Sequence, residues 1–155
     1  MITTVGRWTV EHEPSVTAQC YSGLPIGTNC TCTDCQNFMA ALDIAFPSPF
    51  HSLAESFGID VRKPAELVHY CREESGAHYT GGWFHVVGRI CGGSDGWKPF
   101  GDNSWVPDFE PYEGGVEVGF TSRLALVPHS FEGHSIVQFE FTTRVPWVIS
   151  APESE

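Results

Sequence analysis

The pattern of apolar and polar residues changes halfway along the chain. In the first half, apolar residues recur at steps of three and four, which is the period of helices that bury one face. This period predicts a helix over about 34–46, a second over 48–57 and a third over about 63–75. Residues 14–27 show no such period, and their glycines and prolines predict an irregular segment. We therefore expect a helical cluster over about 34–75.

Residues with strong positional preferences mark the ends of these helices. Thr33 and Gln36 have the spacing of a capping box, in which two side chains satisfy free backbone groups at a helix start. Pro47 predicts the end of the first helix, Gly58 follows the second as its C′ glycine, and Pro64 begins the third. Short links thus join the three helices, and we expect them to pack together.

Alternation of apolar and polar residues, the period of a half-buried strand, dominates the second half and also opens the chain. The alternation is clearest near the end, where Val137, Phe139 and Phe141 are expected to face the core. Gln138 and Glu140 lie between them and are expected to face water. The predicted strands are 4–13, 79–90, 116–120, 124–127 and 136–149.

Helices followed by strands, without regular alternation of the two, predict an α+β fold. We expect an N-terminal cluster of about three helices packed on a mainly antiparallel sheet of four or five strands. The length fits a single domain over 1–155, with a β-rich part over about 77–149. Residues 151–155 are expected to fray.

The charge balance is strongly acidic. The chain has 8 Lys and Arg against 19 Asp and Glu, which gives a formal net charge of −11. This balance argues against nucleic acids and against anionic membrane surfaces, because both attract basic proteins. Residues 1–19 contain no apolar signal core, and no run reaches the length of a membrane span. We expect a cytoplasmic protein, and a cationic partner fits its charge.

Three of the six cysteines lie within residues 30–35, where the first helix begins. In a cytosolic protein this favours metal binding or buried thiols, whereas export would favour three disulfides. The predicted ligands of a structural zinc ion are Cys20, Cys30, Cys32 and Cys35, since four thiolates complete a tetrahedral site. The residues that could replace Cys20 as the fourth ligand are Cys71, Cys91, His69 and His85.

Two alternatives to a metal site remain open. One is a set of small thiols without any metal. The other is thiol chemistry, either by the C-x-x-C pair Cys32 and Cys35 or by a hydrolase with Cys35 or Cys71 as the nucleophile. His85 or His129 would then be the base. The chain lacks the G-x-S-x-G, H-E-x-x-H and P-loop signatures.

An acidic, aromatic segment over 95–117 is the candidate for recognition, and 97–112 within it is predicted to be an irregular loop. Rings beside carboxylates suit a basic protein partner or a cationic ligand. The alternative is that the rings fold back onto the sheet as a lid, with the acids in water. The predicted partner-binding residues are Trp97, Asp102, Trp105 and Asp108.

Three segments together resemble a family of small uncharacterised bacterial proteins. They are Cys-x-Cys-x-x-Cys-x-Asn-Phe at 30–38, Phe-Gly-Ile-Asp at 57–60 before Lys-Pro-Ala-Glu at 63–66, and Val-Pro-Trp at 145–147. The resemblance implies a bacterial origin and a cytosolic setting. That family has no assigned activity, so the resemblance transfers no functional residue to this chain.

The leading hypothesis from these features is a non-enzymatic domain that binds another protein and is stabilised by a structural zinc ion. The alternative is a small thiol-dependent enzyme, either a redox protein or a Cys–His hydrolase. The state of Cys30, Cys32 and Cys35 separates the two, because metal ligands are grouped and inert whereas a catalytic thiol is exposed and paired with a base.

Overall fold

The computed structural model describes all 155 residues and has an α+β fold. A short 3₁₀ turn lies at His129–Phe131. The four helices are α1 (Pro14–Ser22), α2 (Thr33–Ala40), α3 (Leu42–Ala45) and α4 (Ser48–Phe57). The nine strands are β1 (Ile2–Val5), β2 (Trp8–His12), β3 (Glu66–Arg72), β4 (His78–Gly92), β5 (Trp97–Pro99), β6 (Trp105–Pro107), β7 (Glu110–Tyr112), β8 (Val116–Thr121) and β9 (Ile136–Val145).

Seven strands form one antiparallel sheet around the long strand β4. One edge of β4 pairs with β9, and β9 then pairs with β8, which pairs with β7. The other edge of β4 pairs with β3 over its first half and with β2 over its last residues, and β1 completes this side as a hairpin with β2. Strands β5 and β6 form a separate two-stranded sheet.

The core lies between the helices and one face of this sheet, and it is built largely from phenylalanine. Phe50 of α4 stacks on Phe139 of β9 with ring centroids 5.6 Å apart, and Phe46 meets Phe141 at 4.8 Å. Phe120 of β8 stacks on Phe139 at 4.7 Å. Val137, Phe139 and Phe141 are all buried, so the core-facing positions predicted for the last strand are confirmed.

The other face of the sheet is covered as well, which contradicts the predicted exposure of Gln138 and Glu140. Both are buried, with exposed fractions of 3% and 7%. Trp97 donates its indole N–H to Glu140 Oε2 at 2.8 Å, and the Gln138 amide donates to the same oxygen at 3.0 Å. The backbone N–H of Ala125 donates to Gln138 Oε1 at 2.8 Å. Polar partners from the 95–125 segment therefore make this burial tolerable.

Two segments differ in secondary structure from the prediction. Residues 14–27 contain α1, whose buried side chains are Thr17, Cys20 and Tyr21. This mixed set gives no apolar stripe, which explains why the sequence predicted an irregular segment. Residues 63–75 contain β3 in place of a third helix, because their backbone pairs with β4. Pairing with a partner strand outweighs a weak local preference.

Smaller differences concern element boundaries. The strand predicted over 4–13 is the β1–β2 hairpin, and the helix predicted over 34–46 is divided into α2 and α3 at Ala41. Residues 124–127 form no strand, whereas 97–112 contains β5, β6 and β7. The sheet consequently has seven strands instead of four or five. None of the helices combines the length and the apolar character that a membrane span requires.

Three imidazoles are buried within this fold, and two of them, His12 and His85, have exposed fractions of 1% and 0%. Burial lowers the pKa of both rings, because the interior disfavours the charged imidazolium, and Nδ1 of each ring has no hydrogen-bond partner. The unfolded chain has ordinary imidazoles with a pKa of about 6.5. Below that pH the unfolded chain therefore takes up protons that the folded protein does not.

The free energy of unfolding should accordingly fall as the pH drops below about 6.5, by at most about 1.4 kcal/mol per pH unit for each ring. Urea denaturation between about pH 7.5 and pH 5.5 measures this slope. The His85→Gln change should reduce the slope, because it removes one of the two buried rings whose pKa is lowered. A flat profile for the unmodified protein would contradict the prediction. Burial raises the pKa of Glu140, so protonation of this carboxyl opposes the effect as the pH falls through that raised pKa towards 4.5.

Candidate metal centre

Three cysteine sulfurs meet where α2 begins. Cys30 and Cys32 lie on the loop that leads into α2, and Cys35 lies in its first turn. The three Sγ atoms all lie within 4.8 Å of one another, and those of Cys30 and Cys32 are 3.1 Å apart. The three thiols are therefore within metal-binding distance and can hold an ion.

Hydrogen bonds from the loop and the helix fix this arrangement. The Cys30 N–H donates to Thr28 Oγ1 at 3.1 Å, and the Gln36 side chain donates to the carbonyl of Thr31 at 2.7 Å. Gln36 therefore holds the residue between the two loop cysteines, and the capping box predicted for Thr33 and Gln36 does not form. Cys32 occupies the N-cap position, and no side chain caps the helix there.

The three thiols differ in how readily they lose their protons. Hydrogen bonds from Cys32 and then from Cys35 lower the pKa of the exposed Cys30 thiol, because they stabilise its thiolate. Cys35 is buried, and this burial together with its sulfur neighbours raises its pKa. Cys30 is therefore the thiol that ionises most readily. A bound metal ion would displace the protons of the other two thiols as well, since cysteines bind metals as thiolates.

The fourth predicted ligand lies elsewhere. Cys20 is buried in α1 as part of the core, outside the group of sulfurs, and burial raises its pKa. Cys71 and Cys91 are exposed on β3 and β4 and are also outside the group. His85 is buried and bonds to Gln138 at 3.1 Å. Of the candidates named from the sequence, His69 alone lines the same cavity as the three sulfurs.

That cavity has a volume of about 260 Å³ and is bounded by α2, β3 and β4. Its walls combine the three cysteines with Asp34 and His69 on one side and apolar side chains such as Phe38 and Leu67 on the other. An ion on the sulfurs would therefore lie at the rim of a partly apolar cavity that also contains acid and imidazole groups.

A second group of possible ligands, formed by Asp34, His69 and His78, lies next to the first. Their ligand atoms also lie within 4.8 Å of one another. His69 Nε2 is 2.9 Å from His78 Nδ1, and His78 Nε2 is 2.8 Å from Glu153 Oε1. His69 Nδ1 lies 3.7 Å from Asp34 Oδ2. These contacts link two carboxylates through two imidazoles in one chain.

Sequence reasoning missed this second group. The sequence predicts His69 only as a substitute zinc ligand, and it predicts no ligand role for Asp34 or His78. The proximity of His69 to His78 could not be predicted, because the sequence predicts a helix over 63–75 in place of β3. Once β3 pairs with β4, the two histidines lie on neighbouring strands and their rings meet with centroids 5.1 Å apart.

The C-terminal segment closes over this group, in contrast to the predicted fraying of 151–155. The buried Asn37 side chain donates to the Pro146 carbonyl at 2.9 Å and accepts from the Val148 N–H at 2.7 Å. Trp147 packs on the His78 ring, with centroids 5.2 Å apart. Beyond it, Glu153 contacts His78, and the Ser154 hydroxyl donates to Asp34.

The predicted partner-binding residues divide into two sets. Trp97 packs edge-on against Phe109, Asp108 lies 3.6 Å from the Lys98 ammonium, and both line one cavity. Trp105 is 44% exposed and lies under the Arg123 guanidinium at 4.1 Å, and Asp102 is exposed. The structure therefore brings Trp97 and Asp108 to one cavity and leaves Trp105 and Asp102 outside it.

Comparison of the chain with protein-family models, with curated proteins and with solved structures gives no match. The resemblance to small bacterial proteins stays a prediction, and functional inference for this chain depends on its own geometry.

Proposed function

We propose that this protein is a zinc-binding domain whose ion is held by Cys30, Cys32 and Cys35. The observation that carries the proposal is the grouping of three sulfurs within 4.8 Å at a helix start. Thiolates are the soft ligands that select zinc over magnesium or calcium. Three protein ligands leave one position of a tetrahedral ion for solvent or for a further side chain.

The role of the ion in this proposal is structural. It would tie the exposed loop at 28–32 to the start of α2, and α2 in turn carries Asn37, which holds the C-terminal segment. All six cysteines are free thiols, which suits a reducing compartment, so we place the protein in the cytoplasm. In such a domain the ion stabilises a surface, and binding of another protein is the corresponding activity.

Zinc content and thermal stability test the proposal. Protein purified without chelator should contain about one equivalent of zinc, and the Cys32→Ser change should remove the ion and much of the stability, because ligation energy is folding energy. Cys71→Ser and Cys91→Ser are matched controls, since both thiols are exposed and lie outside the cluster. Both control proteins should keep the ion and the melting temperature.

Two outcomes would contradict the zinc site. One is purified protein without metal that takes up neither zinc nor cobalt and melts at the same temperature with and without a chelator. The other is loss of the ion in the Cys71→Ser protein with retention in the Cys32→Ser protein.

A thiol-dependent activity is the second candidate, and the environment of Cys30 favours it. Cys30 is exposed, and its neighbours lower the pKa of its thiol, which are features of a reactive cysteine. Alkylation at neutral pH distinguishes the two candidates. A reactive thiol predicts fast labelling of Cys30 alone, whether or not zinc is added, whereas a zinc site predicts that Cys30, Cys32 and Cys35 are all protected by the ion.

A further inference from the structure

A second cavity, of about 470 Å³, lies on the face of the sheet that points away from the helices. Thr142 of β9 and Glu117 of β8 lie in its floor. They pair directly across the strands, so their side chains share a face. Thr142 is next to Phe141, which faces the helices, and successive side chains of a strand point to opposite faces. The cavity is therefore separate from the sulfur cluster.

Four aromatic rings form the walls of this cavity. Tyr70 of β3 and Tyr79 of β4 lie with their centroids 5.3 Å apart, and Trp97 meets Phe109 edge-on at 6.2 Å. Tyr70 is 53% exposed, so part of its ring is open to a ligand. The set combines half-exposed rings with a concave shape, and such shapes bind ligands.

Two glycines provide space for these rings on the sheet. A Cβ at Gly81 would lie 2.9 Å from the Tyr70 ring, and a Cβ at Gly119 would lie 2.3 Å from the ring of Phe109. Gly81 pairs with Thr142, and Gly119 pairs with Glu140, so both glycines belong to the face that carries the cavity. The absence of side chains at these two positions lets the rings lie close to the backbone and shapes the hollow.

The charge inside this cavity is negative. The Glu117 carboxylate accepts a hydrogen bond from the Thr142 hydroxyl at 3.1 Å and has no ion-pair partner. Asp108 is already close to Lys98 and Arg7. Arg144 lies 4.7 Å above the Tyr79 ring and is bonded to Glu73, so it attracts Glu117 from a distance but forms no ion pair with it. Glu117 is thus the carboxylate of the cavity that has no ion-pair partner.

We propose that this cavity binds an alkylated ammonium group, such as a trimethylammonium head. Aromatic faces are electron-rich and attract cations, and a carboxylate beside them adds to the attraction. A primary ammonium has three N–H donors that need acceptors, and the carboxylate of Glu117 and the tyrosine hydroxyls offer few. A quaternary ammonium has none to satisfy, and its methyl groups pack on the rings. This inference does not depend on zinc.

Choline and its neutral isostere 3,3-dimethyl-1-butanol are the probes. Titration followed by tryptophan fluorescence and by NMR line shifts should show choline binding that is at least about tenfold tighter than binding of the alcohol, because the two differ only in charge. The affinity for choline should also fall as the ionic strength rises, since part of it is electrostatic.

Three variants separate the cavity from the rest of the segment. Glu117→Gln keeps the shape and the Thr142 contact but removes the charge, and it should weaken choline binding roughly fivefold or more. Tyr70→Ala removes an exposed wall and should weaken it as well. Trp105→Ala is the matched control, since this exposed indole lies outside the cavity, and it should change the affinity less than about twofold.

Two results would overturn the inference. One is equal binding of choline and the neutral alcohol, which would leave an apolar hollow without cation preference. The other is the absence of detectable choline binding at concentrations up to about tens of millimolar, which only very weak ligands require. Because Glu117→Gln is isosteric, it keeps the test valid even where Tyr70→Ala lowers the stability, and thermal melts of each variant verify the fold.

Discussion

Replacing Phe139 with alanine should lower the free energy of unfolding by about 3–5 kcal/mol, as truncation of buried aromatic residues does. Phe139 is fully buried in β9, and its ring stacks on Phe50 from α4 and on Phe120 from β8. The change would therefore open a hole where a helix and two strands meet. Urea denaturation of the two proteins measures the difference.

The matched control for this change is Phe100→Ala. Phe100 lies in the acidic segment with 66% of its side chain exposed, so its removal should cost less than about 0.5 kcal/mol. A loss below about 1 kcal/mol for Phe139→Ala would mean that β9 does not occupy the centre of the core.

The Gly58→Ala change should destabilise the protein by about 2–5 kcal/mol for two separate reasons. Gly58 follows α4 with φ +82°, a left-handed conformation that costs a residue with a Cβ about 1–2 kcal/mol. Its Cβ would also lie 2.1 Å from the Pro14 carbonyl oxygen at the start of α1. The two helices would have to separate to accept it.

Gly133 separates these two contributions. It has φ +83°, and a Cβ at this position would have no atom within 4 Å, so Gly133→Ala should lose only the stability that the left-handed backbone conformation costs. Thermal or urea unfolding of both variants should show the larger loss at Gly58, and the difference measures the close approach of α1 to α4. Equal losses at the two positions would show that this approach is loose.

The elements that the sequence predicted well are those whose pattern is strong over a whole element. The helix over 48–57 and the buried face of β9 both came from regular spacing of large apolar residues, and both are present. The helix α1 was not predicted because its buried face includes Thr17 and Cys20, which do not form an apolar stripe. For β3, the deciding partner is β4, and local spacing carries no information about pairing.

The burial of Glu140 shows a different limit. Alternation in β9 identified two faces correctly, but the exposure of the second face depends on what covers it. Here Trp97 and the loop at Ala125 cover it and supply hydrogen bonds. Those residues lie far away in the sequence, so a period of two within β9 cannot reveal them.

The part of the candidate site formed by residues close together in the sequence could be predicted, whereas the part that the tertiary fold brings together could not. Cys30, Cys32 and Cys35 lie in one short run, so their grouping followed from spacing alone. The absence of Cys20 from the group depends on the orientation of α1, which places that thiol in the core. Likewise, His78 and Glu153 meet only because the chain returns to the start of α2 after β9.

Strand β9 joins two parts of the sheet that share no strand pairing of their own. On one side it pairs with β4, which leads to β1, β2 and β3, and on the other it pairs with β8, which leads to β7. Both parts precede β9 in the sequence, so during synthesis on a ribosome β4 and β8 each have one unpaired edge until β9 has emerged. An unpaired strand edge exposes backbone N–H and C=O groups that can pair with other chains. Native assembly therefore completes only after Val145 has left the exit tunnel, and a chaperone that shields the edges of β4 and β8 would matter most in that interval.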